Sequence, residues 1–339
     1  MTFQDRVNSF VELGLCLKGI DQTTHPQIFT EANLKNPWFT YENIELALSS
    51  LAQMLEVDGL QTWLGGYDGL SDPHRKSKNV GVIMAGNLPA VGFHDMLCVL
   101  ISGHRLLAKT SAQDDVLPKF LMQLLQKINP EWAQNIEFVS LLKNTDAVIS
   151  TGSDNSARYF SYYFSKIPHI IRNNRSSLAI LSGNETAADL NLLGKDIFNY
   201  FGLGCRNVSK ILVPAKAGFT YVIDGLQPYS SIIDHHKYAN NYMYNKTLLT
   251  MNMEPYLDNN FALFCQKEAL NSPISVIHYD FYNDLNEAVA YIKNHNEKIQ
   301  CVVGGSLEGL TTVPLGFAQQ PKIHDYADGV DTMEFLLAL

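Results

Sequence analysis

Apolar residues recur at helical spacing through the opening stretch of the chain: Phe10, Leu13 and Leu17, then Leu46, Leu48, Leu51, Met54 and Leu55. That spacing predicts a helical region reaching to about residue 78. The rhythm then changes. Residues 80–85 are a short apolar run closed by Gly86-Asn87-Leu88-Pro89, the pattern of a buried strand and the turn that ends it. An apolar helix is predicted over 91–102 and a second strand over 105–109. Asp115 opens an amphipathic helix with Leu117, Leu121, Leu124, Leu125 and Ile128 on one face, stopped by Asn129-Pro130. Strands at 136–139 and 147–150 follow, and Gly152-Ser153 turns the chain into another helix. Strands alternating with helices at this spacing predict βαβ units and a parallel sheet, an α/β fold.

The second half repeats that alternation. A strand at 178–181 leads to a turn at Gly183-Asn184, the natural place for a domain boundary. A helix carrying Leu190, Leu193, Ile197 and Phe201 breaks at Gly202-Leu203-Gly204, and Cys205-Arg206-Asn207 leads into a strand at 210–213. Further elements are expected at 274–279 (strand), 285–292 (helix) and 300–303 (strand). The pattern divides the chain into 1–183, 184–314 and a less regular segment, 315–339, that it does not place.

Composition narrows the function classes. The chain has 339 residues, 46% hydrophobic and 17% charged, enough apolar material for a large core and against disorder. Lysine and arginine total 25 against 34 acidic residues, a formal charge of −9, so nucleic acid is not expected as a partner. The short basic patch His74-Arg75-Lys76 with Lys78 reads as a solvated turn. Five widely spaced cysteines, Cys16, Cys98, Cys205, Cys265 and Cys301, form no metal or disulfide spacing and point to a reducing compartment. The longest apolar run, 96–101, is far too short to span a bilayer. A cytoplasmic location without a membrane span is expected.

Three segments place a reactive side chain beside backbone that glycine leaves open. Cys205 follows Gly202-Leu203-Gly204 and precedes Arg206, with Lys210 near in sequence; positive charge would favour a nucleophilic thiolate. Against this, the end of a helix would raise a thiol pKa, and any cysteine can be a buried structural thiol, which suits Cys98, Cys265 and Cys301. Asn87 stands at the carboxyl end of a strand, where ligands of open α/β sheets bind and where an amide can donate to an oxyanion; a turn asparagine is the alternative. Lys109, ending the next strand in Lys109-Thr110-Ser111, can meet a ribose or phosphate, or simply be solvated. His235-His236 are adjacent and are expected to point apart at the surface. Asp325, Asp328 and Asp331 recur every third residue, which reads as helix capping and a solvated acidic face.

In order along the chain, Gly86-Asn87-Leu88-Pro89, Lys109-Thr110-Ser111, Thr151-Gly152-Ser153 and Gly204-Cys205 resemble the aldehyde dehydrogenase superfamily. Within it, the segment from Gly202 to Lys210 and the closing Tyr326-Ala-Asp-Gly-Val-Asp331 look most like acyl-CoA reductases of the long-chain fatty-acid reductase type, the branch that includes the bioluminescence reductases. The resemblance runs from about residue 79 to 303, and more loosely to the C-terminus. It implies an aldehyde-dehydrogenase-like fold: a Rossmann-like cofactor domain after the helical N-terminus in 1–183, and a second α/β catalytic domain in 184–314. It implies Cys205 as nucleophile and Asn87 as oxyanion donor, helped by the Cys205 backbone N–H. Lys109 and Ser111 would face the adenosine ribose or its phosphate, and Gly152 and Ser153 the pyrophosphate.

The departures from that pattern sharpen the reading. Family members that hydrolyse their acyl-enzyme carry a general-base glutamate in Glu-Leu-Gly-Gly-Lys; here the stretch reads Ile171-Arg172-Asn173-Asn174-Arg175, so hydrolysis of a thioester intermediate is not expected. His169 is a candidate proton carrier, or a strand histidine satisfied by hydrogen bonds. The Glu-x-Phe-Gly-Pro loop of the family is missing, Asn271-Ser272-Pro273 being its nearest counterpart. Lys109-Thr110-Ser111-Ala112 stands where NAD-dependent relatives have Lys-Pro-Ser-Glu, so NADPH is expected over NADH, unless Asp114 or Asp115 turns toward the ribose. The expected reaction is reduction of an acyl-CoA thioester to an aldehyde, without a metal. An acyl-phosphate reductase and a non-catalytic acyl- or nucleotide-binding relative are the alternatives, and a homo-oligomer stays open as the assembly.

Overall fold

The structure is a computed structural model that describes residues 1–72, 74–152 and 154–339. It divides into two compact units, one made of Met1–Asn173 with Pro321–Leu339 and the other of Asn174–Gln320.

The first unit opens with four helices, α1 (Phe3–Leu17), α2 (Pro26–Lys35), α3 (Tyr41–Met54) and α4 (Val57–Leu64). A reciprocal cap fixes the start of α1: Thr2 Oγ1 accepts the Asp5 N–H while the Asp5 carboxylate accepts the Thr2 N–H. Phe10, Leu13 and Leu17, the apolar positions of the sequence pattern, are buried on its inner face. A five-stranded sheet follows, with β1 (Asn79–Ile83), β2 (Arg105–Lys109), β3 (Ile136–Phe138), β4 (Ala147–Thr151) and β5 (His169–Arg172). All neighbours are parallel and the order is β3-β2-β1-β4-β5. The connecting helices are α5 (Phe93–Ile101), α6 (Val116–Ile128) and α7 (Asp154–Tyr163). The chain runs outward from β1 to β3, then restarts on the other side of β1 with β4. Ligands in open α/β sheets bind at such a reversal, outside the carboxyl ends of the strands.

The second unit holds a six-stranded sheet: β6 (Ser176–Ile180), β7 (Val208–Pro214), β8 (Leu257–Asp258), β9 (Leu263–Gln266), β10 (Val276–Tyr282) and β11 (Ile299–Gly304). The order is β11-β6-β7-β10-β9-β8, parallel except for β8. Its helices are α8 (Ala187–Phe198), α9 (Thr220–Gly225), α10 (His236–Met251) and α11 (Leu285–Asn294). No helix among the described residues is long and apolar enough to cross a membrane.

Two features differ from the sequence expectation. The division falls between Asn173 and Asn174 rather than at Gly183, because strand 176–180 hydrogen-bonds to β7 and β11 and so belongs to the second sheet. The tail that the pattern left unplaced returns to the first unit, where α12 (Thr332–Leu337) packs on α5 with Met333 and Leu336 fully buried.

Candidate active site

In the first unit the carboxyl strand ends line up. Ile83 pairs with Lys109 on one side and Ser150 on the other, and Thr151 pairs with Arg172. From the end of β1 the chain passes through Gly86-Asn87-Leu88-Pro89 with Asn87 exposed. The loop is clamped at both ends. Asn36, buried, donates its amide to the Gly86 carbonyl at 3.2 Å, and Asp114 Oδ2 accepts the Ala90 N–H at 2.7 Å. Gly86 lies so close to the next strand's turn that a Cβ would stand 2.5 Å from Ser111 Oγ, which explains glycine there. Ser111 Oγ in turn accepts the Gln113 N–H at 3.2 Å.

The two acids that threatened the ribose expectation are engaged elsewhere. Asp114 is 3% exposed and faces the Ala90 N–H; burial pushes its carboxyl up to about 7. Asp115 bridges Lys35 and Lys119; burial would raise its pKa, but those two hydrogen bonds hold it below the usual value. Ala112 is exposed beside them. Lys109 is half-buried at the end of β2. Gly152 begins the turn from β4 to α7, where a Cβ would meet Ser156 at 2.9 Å. Ser153, the other expected pyrophosphate contact, lies outside the described residues.

In the second unit Cys205 is exposed on the turn before β7. The predicted helix through Phe201 ends earlier, at Phe198, and the chain reaches the cysteine through three left-handed residues, Tyr200, Phe201 and Gly202, with φ of 54°, 59° and 76°. Asn207 holds this path. Its amide donates to the carbonyls of Asp196, Ile197 and Asn199 at 3.1, 3.2 and 2.8 Å, and its oxygen accepts the Gly204 N–H at 2.8 Å. The buried side chain thereby satisfies the last carbonyls of α8 and fixes the turn in one step. Ser177, fully buried on β6, donates to the Cys205 carbonyl at 2.9 Å.

The expected positive charge beside Cys205 is built differently. Lys210 is fully buried and its ammonium donates to the Lys267 and Glu268 carbonyls at 2.6 and 2.9 Å, 4.9 Å from the Tyr291 ring centre. It is a core cation, because β7 alternation turns it into the sheet face rather than toward the turn. Arg206 Nε donates to the Ala318 carbonyl. The same loop is held by Asp196, which accepts the Gly316 and Ala318 N–H groups at 2.6 and 2.9 Å and whose carboxyl burial pushes up to about 6.

Other candidates fall into structural positions. Cys98 and Cys265 are buried, and burial raises both thiols. His169 lies exposed at the amino end of β5, away from the carboxyl strand ends, with Nδ1 2.9 Å from the Ile167 carbonyl. His235 and His236 do not point apart: their rings stack at 5.3 Å, and His235 also lies 4.2 Å from the Phe201 ring. Ser272 Oγ lies 2.6 Å from the Val276 carbonyl and 3.1 Å from the Ser209 carbonyl, its one proton turned to backbone of its own unit. The closing segment is anchored in the first unit, where Tyr326 OH accepts from Trp63 Nε1 at 2.7 Å and lies 2.7 Å from Tyr67 OH, which donates to Asp331 at 2.6 Å. Asp331 also caps α12 through the Glu334 N–H. Asn36, Asp114, Ser177, Asp196 and Asn207 were not singled out from the sequence as site supports.

No family model matches the sequence, and no curated protein matches it. Solved structures do. An NAD-dependent benzaldehyde dehydrogenase from Corynebacterium glutamicum superposes with a TM-score of 0.67 at 12% identity, over 91% of this chain and 77% of that one. Aldehyde dehydrogenase 21 from Physcomitrella patens gives 0.66 at 12% identity, over 91% and 74%. An NADP-dependent glyceraldehyde-3-phosphate dehydrogenase from Bacillus halodurans gives 0.63 at 13%, over 89% and 74%. Together with the two sheets, one parallel and one parallel but for β8, and their strand order, these likenesses establish that the chain has an aldehyde-dehydrogenase-like fold.

Proposed function

We propose that the chain is an NADPH-dependent reductase that converts an acyl-CoA thioester to an aldehyde through an acyl group carried on Cys205. The observation that carries this reading is the exposed Cys205 at the head of a turn whose backbone Asn207 and Ser177 fix, in a chain of aldehyde-dehydrogenase-like fold. By the resemblance drawn from the sequence, Ile171 stands where hydrolytic relatives carry their general-base glutamate. With no base there to activate water, a thioester on Cys205 persists long enough to be reduced.

The Cys205 thiolate attacks the acyl carbonyl, and the Asn87 amide and the Cys205 N–H donate to the oxyanion. Collapse of that adduct breaks the bond to the CoA sulfur, which departs as a thiolate. The nicotinamide, when bound, supplies the hydride that reduces the acyl carbon. The resulting thiohemiacetal alkoxide collapses to aldehyde and regenerates the cysteine thiolate; the one proton that the net reaction consumes is taken up by the departed CoA thiolate. The first unit offers that cofactor a strand-order reversal at β1 and β4 and Lys109 at the end of β2, with Asp114 and Asp115 engaged elsewhere. Lys109 and Ser111 would face the phosphorylated ribose, and Gly152 with Ser153 the pyrophosphate.

The test is incubation with a panel of radiolabelled acyl-CoA thioesters and acyl phosphates, with peptide mapping of the label and NADPH oxidation followed in parallel. Label on Cys205 and acyl-CoA-dependent NADPH oxidation are expected. Absence of label at Cys205 across the panel would overturn the reading in favour of a non-catalytic binding protein. Label from acyl phosphates alone would transfer it to an acyl-phosphate reductase.

A further inference from the structure

The loop that carries Asn87 is short and stiff. Between Asn87 and Ala90 stand only Leu88 and Pro89, and proline fixes its own φ. The next residue, Ala90, is left-handed with φ 54° and 3% exposed, a conformation that costs free energy for any residue with a Cβ. Its carbonyl accepts the Phe93 N–H at 3.0 Å as α5 begins, so Ala90 is the corner between the loop and that helix. The N–H at that corner is buried and needs an acceptor.

Asp114 is that acceptor, at 2.7 Å, reaching from the turn before α6. It is an expensive choice. The carboxylate is 3% exposed, its second oxygen has no hydrogen-bond partner among the described residues, and its charged neighbour Asp115 is a like charge held by Lys35 and Lys119. Besides Ala90, only the Leu117 backbone N–H in the first turn of α6 favours its charged form. A buried carboxylate without a cation of its own does not serve stability well.

We propose that Asp114 is a positioning residue: through the Ala90 N–H it holds the left-handed corner that aims Asn87. This rests on the reading that Asn87 donates to the acyl carbonyl. It acts as a hydrogen-bond acceptor, so an amide oxygen in the same place does the same work.

The experiment compares Asp114→Ala and Asp114→Asn, each alone and with Asn87→Ala, using the acyl-CoA that the wild type reduces fastest. Asp114→Ala is expected to lower kcat roughly 10- to 100-fold with the KM for NADPH unchanged. Asp114→Asn should restore kcat to within about threefold of wild type, the size of an ordinary context effect. On top of Asn87→Ala, Asp114→Ala should add no further loss. Additive losses, or an Asp114→Asn variant as slow as Asp114→Ala, would overturn the proposal. If the wild type neither acylates Cys205 nor oxidises NADPH, the functional reading falls by itself. Hydrogen exchange at the Ala90 amide then decides the positioning: protection lost in Asp114→Ala and kept in Asp114→Asn supports it, and equal protection in both overturns it.

Discussion

Ser177 donates its hydroxyl proton to the carbonyl of Cys205 at 2.9 Å. A serine has one such proton, so the Cys301 thiol, 3.1 Å from the same oxygen, is left to donate to it, as the Cys301 N–H does at 3.1 Å. One buried hydroxyl therefore joins the backbone of the candidate nucleophile to β11. Ser177→Ala should destabilise the chain by about 1–3 kcal/mol, the cost of leaving buried polar groups without this partner. It should also lower kcat as the turn loosens. Thermal unfolding and steady-state kinetics check both, and wild-type values for Tm and kcat together would show the tie to be idle.

Cys205→Ser should unfold at the wild-type temperature and bind NADPH with wild-type affinity, yet form no acyl-enzyme. Cys205 is exposed, so the exchange of sulfur for oxygen disturbs no core, while a hydroxyl without a dedicated base is a poor nucleophile. A serine variant that turned over at the wild-type rate would place the nucleophile elsewhere.

Asn87→Ala should reduce kcat by roughly 10²–10³, the usual consequence of deleting one oxyanion donor. The side chain is exposed on its loop, and the clamps on Gly86 and Ala90 act through backbone groups that the substitution leaves in place. An unchanged kcat would leave Asn87 as a turn residue only.

NADPH should be preferred over NADH by about 1–3 kcal/mol, the range of a hydrogen bond to a charged group. Lys109 ends β2 beside Ala112, and Asp114 and Asp115 are turned to Ala90 and to Lys35 and Lys119. Ala112→Glu should reverse the preference by returning a carboxylate to the ribose. The comparison is kcat/KM for both cofactors in both proteins; equal or NADH-favouring values in the wild type would sink the idea.

Stability should fall as pH rises from about 4 to 7 through Asp114. Its carboxyl lies at about 7 when folded against an ordinary 3.8. Across that window the folded chain keeps a proton the unfolded chain has released. The wild type should lose on the order of 3 kcal/mol there. Asp114→Asn cannot ionise and should escape that loss, while Asp196, at about 6, gives both proteins a smaller slope of the same sign. Tm measured from pH 4 to 8 settles it: parallel curves would mean that Asp114 is not the group responsible.

Residues whose partners lie close in sequence, or whose periodicity faces a core, were readable in advance. Strands β1, β2 and β4 and helix α6 appeared where the apolar pattern put them, because each buries its own apolar face. Helix α10 did not, since its buried positions Tyr238, Tyr242, Asn245 and Leu249 mix polar with apolar groups and leave no clean stripe. The candidate nucleophile and loop asparagine were visible through their glycine neighbours. Their supports were not: Asp114 meets Ala90 across 24 residues, Ser177 meets Cys205 across 28, and Asn36 meets Gly86 across 50. A buried polar residue whose partner is a distant backbone group carries no local pattern, so Asp114 reads as an acid that could turn to the ribose and Lys210 as a charge beside the cysteine rather than a core cation.

Because residues 321–339 return to complete the unit that contains Met1–Asn173, that unit is assembled from two stretches separated by the whole of the other unit. On the ribosome, Val7, Phe10 and the inner face of α5 emerge long before Met333 and Leu336, with which they share one core. The intervening unit, continuous in sequence, can close on itself first. A nascent chain stalled before residue 321 would therefore display an open apolar seam along α5, the surface a chaperone would bind until α12 had emerged to cover it.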